Sequence, residues 1–98
     1  MAEKRIYEVA FLVKEGEIAK AVVERIKGYI TRAKGAFTAE TDMGTRPLAY
    51  TIFKNREKFN RAFYYFVKAE LETIHVPDFE RLIKLDEDII RHMVLVEK

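Results

Sequence analysis

Arg61 to Leu71 reads RAFYYFVKAEL, and its alternation decides the fold. Phe63, Tyr65, Val67 and Ala69 fall on one face of an extended chain, and Tyr64, Phe66, Lys68 and Glu70 on the other. A period of two, rich in aromatic and β-branched residues, marks a strand. The first set is wholly apolar and reads as core. Upstream, Lys54 to Asn60 is polar and reads as a hairpin loop. It leads back to a longer strand region, Ala36 to Phe53, interrupted by Gly44 and Pro47. Pro47 has no N–H to give a ladder, so this strand is expected at a sheet edge or bulged there. Leu48, Tyr50 and Ile52 alternate with Ala49, Thr51 and Phe53, and Leu48 and Tyr50 are expected to face the core.

The same reading extends to both ends. Arg5 to Val13, RIYEVAFLV, is a strand with Tyr7, Val9, Phe11 and Val13 on one face. Its other face, Ile6, Glu8, Ala10 and Leu12, is mixed, which suits a central position. Glu17 to Ala33 spaces Ile18, Val22, Ile26, Tyr29, Ile30 and Ala33 by threes and fours, one stripe of a helix. Gly35 stands just past its end, and Gly28 is read as a close approach to the sheet. Thr73 to His75 connects to a second helix with Pro77 in its first turn, Asp78 and Glu80 near its positive end, and Phe79, Leu82 and Ile83 as its stripe. Asp86 to Asp88 is a turn, and Ile89 to Val96 a last strand. The order β-α-β-β-α-β predicts a single ferredoxin-like α+β domain over residues 1–98, an antiparallel sheet with two helices on one face. Right-handed crossovers give the spatial order fourth, first, third, second, with the second and fourth strands as edges.

Composition narrows the function. The chain has 98 residues, 49% hydrophobic and 35% charged, which excludes a disordered chain. It has no apolar run of about 18 residues. The start, Met1 to Arg5, runs straight into a strand pattern with no cleavage site, so no signal peptide is expected. Cysteine and serine are both absent, which excludes disulfides, thiolate chemistry and a serine triad. No Gly-rich phosphate loop occurs. His75 and His92 lack carboxylates at metal-ligand spacing, and Asp86 to Asp88 lacks the spacing of a calcium loop. The turn after the first strand, Lys14 to Glu17, is partly acidic and would repel a substrate phosphate. No catalysis, metal or cofactor is expected.

Net charge is only +2, yet Gly44 to Lys68 holds six Lys and Arg against Glu57 alone. Such a block is either a polyanion footprint or a solvated hairpin. The expected topology gathers Lys14, Lys54, Arg56, Lys58, Arg61 and Arg91 at one pole, and Lys4, Arg5, Arg32 and Lys34 at the other. The sheet face without helices should expose Tyr64 and Phe66 beside Lys68, with His92 and Val94. An RNA-recognition motif shares this topology, but its third-strand signature requires a glycine that Asn60 to Phe66 lacks.

Gly44-Thr45-Arg46-Pro47-Leu48-Ala49-Tyr50-Thr51-Ile52 is a specific string. With Arg5 to Glu8 opening the first strand and Ile90 to Val94 in the last, it resembles the bacterial small-subunit ribosomal protein six family. Gly44, Arg46, Leu48, Ala49, Tyr50 and Ile52 match that family's signature, whereas Pro47 and Phe53 depart from it. The resemblance implies a cytoplasmic ribosomal constituent without enzymatic activity. It further implies binding to the central domain of small-subunit ribosomal RNA, as a heterodimer with small-subunit ribosomal protein eighteen. Family members often carry a charged C-terminal tail that helps hold this partner; here Glu97 and Lys98 follow the last strand. Arg5 and Arg91 carry over as RNA contacts. Charge and topology add Lys4, Arg46, Arg56, Lys58 and His92. The alternative is a regulatory or protein-interaction domain of the same fold that binds no RNA, which has no reason to carry the Gly44 to Ile52 string.

Overall fold

The computed structural model describes residues 3–97. Its elements are β1 (Lys4–Val13), α1 (Ile18–Arg32), β2 (Ala36–Lys54), β3 (Glu57–Glu72), a 3-10 turn (Thr73–His75), α2 (Val76–Leu85) and β4 (Ile89–Val96). The strands form one sheet in the order β2-β3-β1-β4, every neighbouring pair antiparallel. This is the ferredoxin-like arrangement, with β2 and β4 as edges and Pro47 on one of them.

The period-two faces sort as expected. Tyr7, Val9, Phe11 and Val13 of β1 and Tyr65, Val67, Ala69 and Leu71 of β3 are buried against Val22, Ile26 and Ile30 of α1 and Phe79 and Ile83 of α2. One glycine fixes how closely α1 returns to the sheet. A Cβ on Gly35 would collide with Leu71 Cδ2 and lie 3.0 Å from the Glu70 carbonyl. Lys34, with φ 61°, makes the left-handed step before it. Gly28 has no atom within 4 Å of a Cβ placed there; the close approach read at Gly28 belongs to Gly35.

Three local features depart from simple alternation. The hairpin after β2 is far tighter than a Lys54 to Asn60 loop. Its strands run to Lys54 and resume at Glu57, and Asn55 and Arg56 turn the chain with φ of 51° and 65°. Positive φ at both central residues matches the right-handed twist of the flanking strands. β2 shifts register at Phe37/Ala39, Asp42/Gly44 and Pro47/Ile52. At the second shift Gly44 takes φ 73°, and its N–H donates to Asp42 Oδ1 at 2.7 Å. Such bulges blunt an edge strand against foreign pairing. The third departure is in β4, where Leu12 pairs with Arg91 but Val13 pairs with Ile89. The bulge at Ile90 turns Arg91, Met93 and Leu95 to the open face and His92 and Val94 to the helix face. The placement of His92 and Val94 on the open face is therefore corrected.

Candidate nucleic-acid interface

The largest irregularity of the sheet falls in the Gly44 to Ile52 string. β2 advances from Pro47 to Ile52 while β3 advances only from Arg61 to Phe59, so Leu48 to Thr51 face Asn60 alone. Pro47 starts the excursion because it has no ladder N–H to lose. Thr51 Oγ1 closes it by donating to Asn60 Oδ1 at 2.7 Å. Within it Leu48 lies on the face that bears no helix. There it joins Leu12 and Tyr64 in packing on a second small core of Ile52, Phe59, Ala62 and Ile90. Tyr50 stands above this core, 64% exposed. Leu48 and Tyr50 therefore do not face the helices. Alternation holds, since Leu48, Tyr50 and Ile52 share one face; the side is what differs, because β2 pairs with β3 so that Arg46 lies opposite Ala62 of the second core.

Tyr50 meets Arg91 across the sheet. The guanidinium carbon lies 5.9 Å from the ring centroid, and Arg91 Nη1 donates to Tyr50 Oη at 3.3 Å. Beside this pair runs a groove lined by Leu12, Leu48, Tyr50, Tyr64, Arg91 and Met93. Among the described residues no carboxylate lines it. A second groove lies further along the same face, lined by Glu8, Phe66, Lys68 and Leu95 and reached by Glu40. There Lys68 Nζ sits 3.4 Å from Glu8 and 3.3 Å from Glu97. Hydrogen bonds to Glu97 and Glu8 raise its pKa above the ordinary lysine value.

The cations of the hairpin pole divide into two groups. Lys14 pairs with Glu57 at 3.4 Å and Asp88 at 3.5 Å, Arg61 pairs with Glu15 at 3.4 Å, and the Lys54 ammonium donates to the Ile89 carbonyl. These three fasten the hairpin to the rest of the fold. Arg56 sits at the hairpin tip, Lys58 lies 5.6 Å from the exposed Phe53 ring, and Arg91 rests on Tyr50. Among the described residues these three make no ion pair, and neither does Arg46, whose Nε donates to the Met43 carbonyl at 3.2 Å. Lys4 and Arg5 stand at the far end of β1, opposite Glu72 and Leu71 of β3, in a molecule 43 Å long. Arg5 is paired with Glu3 at 2.8 Å. His92 lies 3.6 Å from Glu80 of α2, with its side chain 17% exposed. Of the seven candidate contacts, Arg46, Arg56, Lys58 and Arg91 thus share the hairpin half. Lys4 and Arg5 share the opposite end, and His92 borders the hairpin half while turning its imidazole to Glu80 on the helix side.

A network that spacing did not disclose holds the hairpin half in place. Asp86 is buried and accepts from Tyr29 Oη at 2.7 Å, Arg25 Nη1 at 3.2 Å and the Asp88 N–H at 3.0 Å. Arg25 Nη2 donates to Asp88 at 2.7 Å, and Asp88 in turn faces Lys14. The Arg25 hydrogen bond holds the Asp88 carboxyl below its ordinary 3.8, with Lys14 adding to it against the effect of burial. Burial pulls the Lys14 ammonium down, but Glu57 and Asp88 more than offset it. Burial and the bond to Asp86 raise Tyr29. Asp86 to Asp88 reads as a polar turn in sequence; its partners on α1 lie about sixty positions away, beyond any local motif.

The sequence model of ribosomal protein S6 matches residues 6–96. The chain belongs to the ribosomal protein S6 family. The crystal structure of 30S ribosomal protein S6 from Thermotoga maritima superposes with a TM-score of 0.85 at 28% identity, covering 97% of this chain and 89% of that one. An uncharacterized protein from the same organism matches with a TM-score of 0.60 at 14% identity, covering 98% of this chain and all of the other, and so shares the fold alone. For this S6-family chain, the structure gives the signature string a physical role. Gly44 supplies a left-handed step, Leu48 caps the second core, and Tyr50 is presented outward against Arg91.

Proposed function

We propose that residues 1–98 act as one docking domain of the small ribosomal subunit, binding the central domain of small-subunit ribosomal RNA together with small-subunit ribosomal protein eighteen. The observation that carries the reading is the separation of cations in the hairpin half. Lys14, Lys54 and Arg61 are consumed by the fold, while Arg46, Arg56, Lys58 and Arg91 present their charge outward. Cations so placed set the position of a protein on a phosphate backbone without reading its sequence. Lys4, Arg5 and His92 contribute less, because Arg5 and His92 face carboxylates and Lys4 and Arg5 stand outside this half. A net charge of +2 makes the phosphate contribution small for the chain by itself. A basic partner adds its cations through effective concentration, and the coupling is reciprocal.

Titration of the central-domain RNA with this protein, with and without protein eighteen, tests the reading. Affinity should rise when the partner is present, and RNA should tighten the heterodimer by the same factor. Equal affinities would make this chain an independent binder, and absence of binding in both titrations would end the RNA reading. Replacing Arg56 and Lys58 by alanine should lower the log–log salt slope by up to about two units. An unchanged slope would assign their charge to solvation.

A further inference from the structure

The hairpin-half groove has the properties of a stacking site. Tyr50 stands outward on its bulge, with the Arg91 guanidinium against the ring and hydrogen-bonded to its hydroxyl. The exposed Met93, with Leu12 and Tyr64, lines the same groove. The groove measures about 460 Å³, within the range of pockets that hold small planar ligands. We propose that this groove receives one unpaired base of the bound RNA, stacked on the Tyr50 ring, with Arg91 reaching the adjoining phosphate. The proposal rests on the RNA-binding reading above and names what that surface recognises: a single-stranded, unstacked nucleotide rather than a helix backbone.

Two observations favour a nucleotide over an apolar protein segment. First, charge is complementary. Arg91 borders the groove, Arg46 lies on the same strand as Tyr50, and among the described residues no carboxylate lines it. The neighbouring groove on the same face carries Glu8 and has its lysine neutralised. A phosphate is accepted by the first and repelled by the second. Second, the tyrosine already has a partner that orients it, the Arg91 guanidinium against its ring and on its hydroxyl. An exposed aromatic ring costs less to stack when a partner already orients it, and every base offers a π-face. A duplex cannot use such a ring, because its bases are already stacked.

The test uses the full chain with a central-domain RNA fragment and the partner protein at saturating concentration, and separately the partner protein without RNA. Tyr50→Leu should weaken RNA binding roughly five- to hundredfold, leave the salt slope unchanged, and leave partner affinity unchanged. Tyr50→Phe should restore binding, since the ring is what stacks. Ultraviolet cross-linking should join Tyr50 to an unpaired nucleotide in the wild-type complex. Tyr50→Leu binding RNA as tightly as the wild type would overturn the proposal while leaving the RNA-binding reading intact. A loss of partner affinity in the absence of RNA would overturn it in favour of a protein occupant. Failure of the wild-type chain to bind RNA at all would overturn both readings. Because Tyr50 is exposed, these variants should fold, and an unchanged thermal transition verifies it.

Discussion

The open face of the sheet has two halves that differ although the same strands build both. Near the hairpin, the β2 bulge lays Leu48 over Ile52, Phe59, Ala62 and Ile90, so the surface rests on a second packed core. Further along, Phe66 and Leu95 lie bare, 38% and 51% exposed, between the Glu8, Lys68 and Glu97 side chains. The hairpin half combines a second packed core with outward cations. In the far half, among the described residues, the one lysine beside the exposed Phe66 and Leu95 is matched by two carboxylates. A functional surface thus needs its charges released from the fold as well as present in the sequence.

The sharpest way to break this contrast is to remove the second core. Phe59→Ala should cost about 3–5 kcal/mol by denaturant unfolding, as for other buried aromatic truncations. Leu95→Ala in the far half should cost within about 1 kcal/mol, because its side chain is half exposed already. Similar losses at both positions would mean that the halves are equally packed.

Next in size is the network under the hairpin half. Asp88→Ala should cost about 1–2 kcal/mol, given that Arg25 is partly solvated. The same group sets an acid dependence. Its folded pKa lies below 3.8, so its contribution is fully present above that value and is lost as pH falls through the lower folded pKa. Unfolding free energies measured from about pH 5 down to about pH 2 should fall less steeply in Asp88→Asn than in the wild type. Parallel curves would remove Asp88 from the account.

Tyr50 gives a smaller stability effect, and the smallness is informative. Tyr50→Ala should change unfolding free energy by no more than about 0.5 kcal/mol. A loss of several kcal/mol would show that the ring supports the second core rather than standing above it.

The topology was readable in the sequence because period two and period 3.6 are properties of neighbouring residues. Tyr65 and Val67, or Val22 and Ile26, declare their faces locally. Pro47 correctly marked an edge and a bulge, but its sequence does not say how many residues leave the ladder. Leu48, Tyr50 and Ile52 do share a face, but period two within one strand does not say which side of the sheet that face meets; the cross-strand pairing of Arg46 with Ala62 decides it. One bulged residue, Ile90, reversed His92 and Val94. The candidate site was readable as a basic block, whereas the consumption of Lys14, Lys54 and Arg61 was not. Their partners, Glu57 and Asp88, the Ile89 carbonyl and Glu15, are brought to them only by the tertiary fold.

The smallest expected effect lies in the far half and concerns Lys68. Both flanking carboxylates are 40–50% exposed, so water screens the pairs and their removal should leave the fold intact. The raised pKa of Lys68 means that its pairing is present at neutral pH and lost only as pH climbs through that raised value. What the carboxylates do is cancel a cation facing the same side as Arg91. Replacing Glu8 and Glu97 together by glutamine releases Lys68. If RNA lies across the hairpin half alone, the freed ammonium is too far from phosphate to release a counterion, and the salt slope should rise by less than about half a unit. A rise of about one full unit would place phosphate over Lys68 as well. The footprint would then cover the whole open face, and the distinction between its halves would be one of packing only.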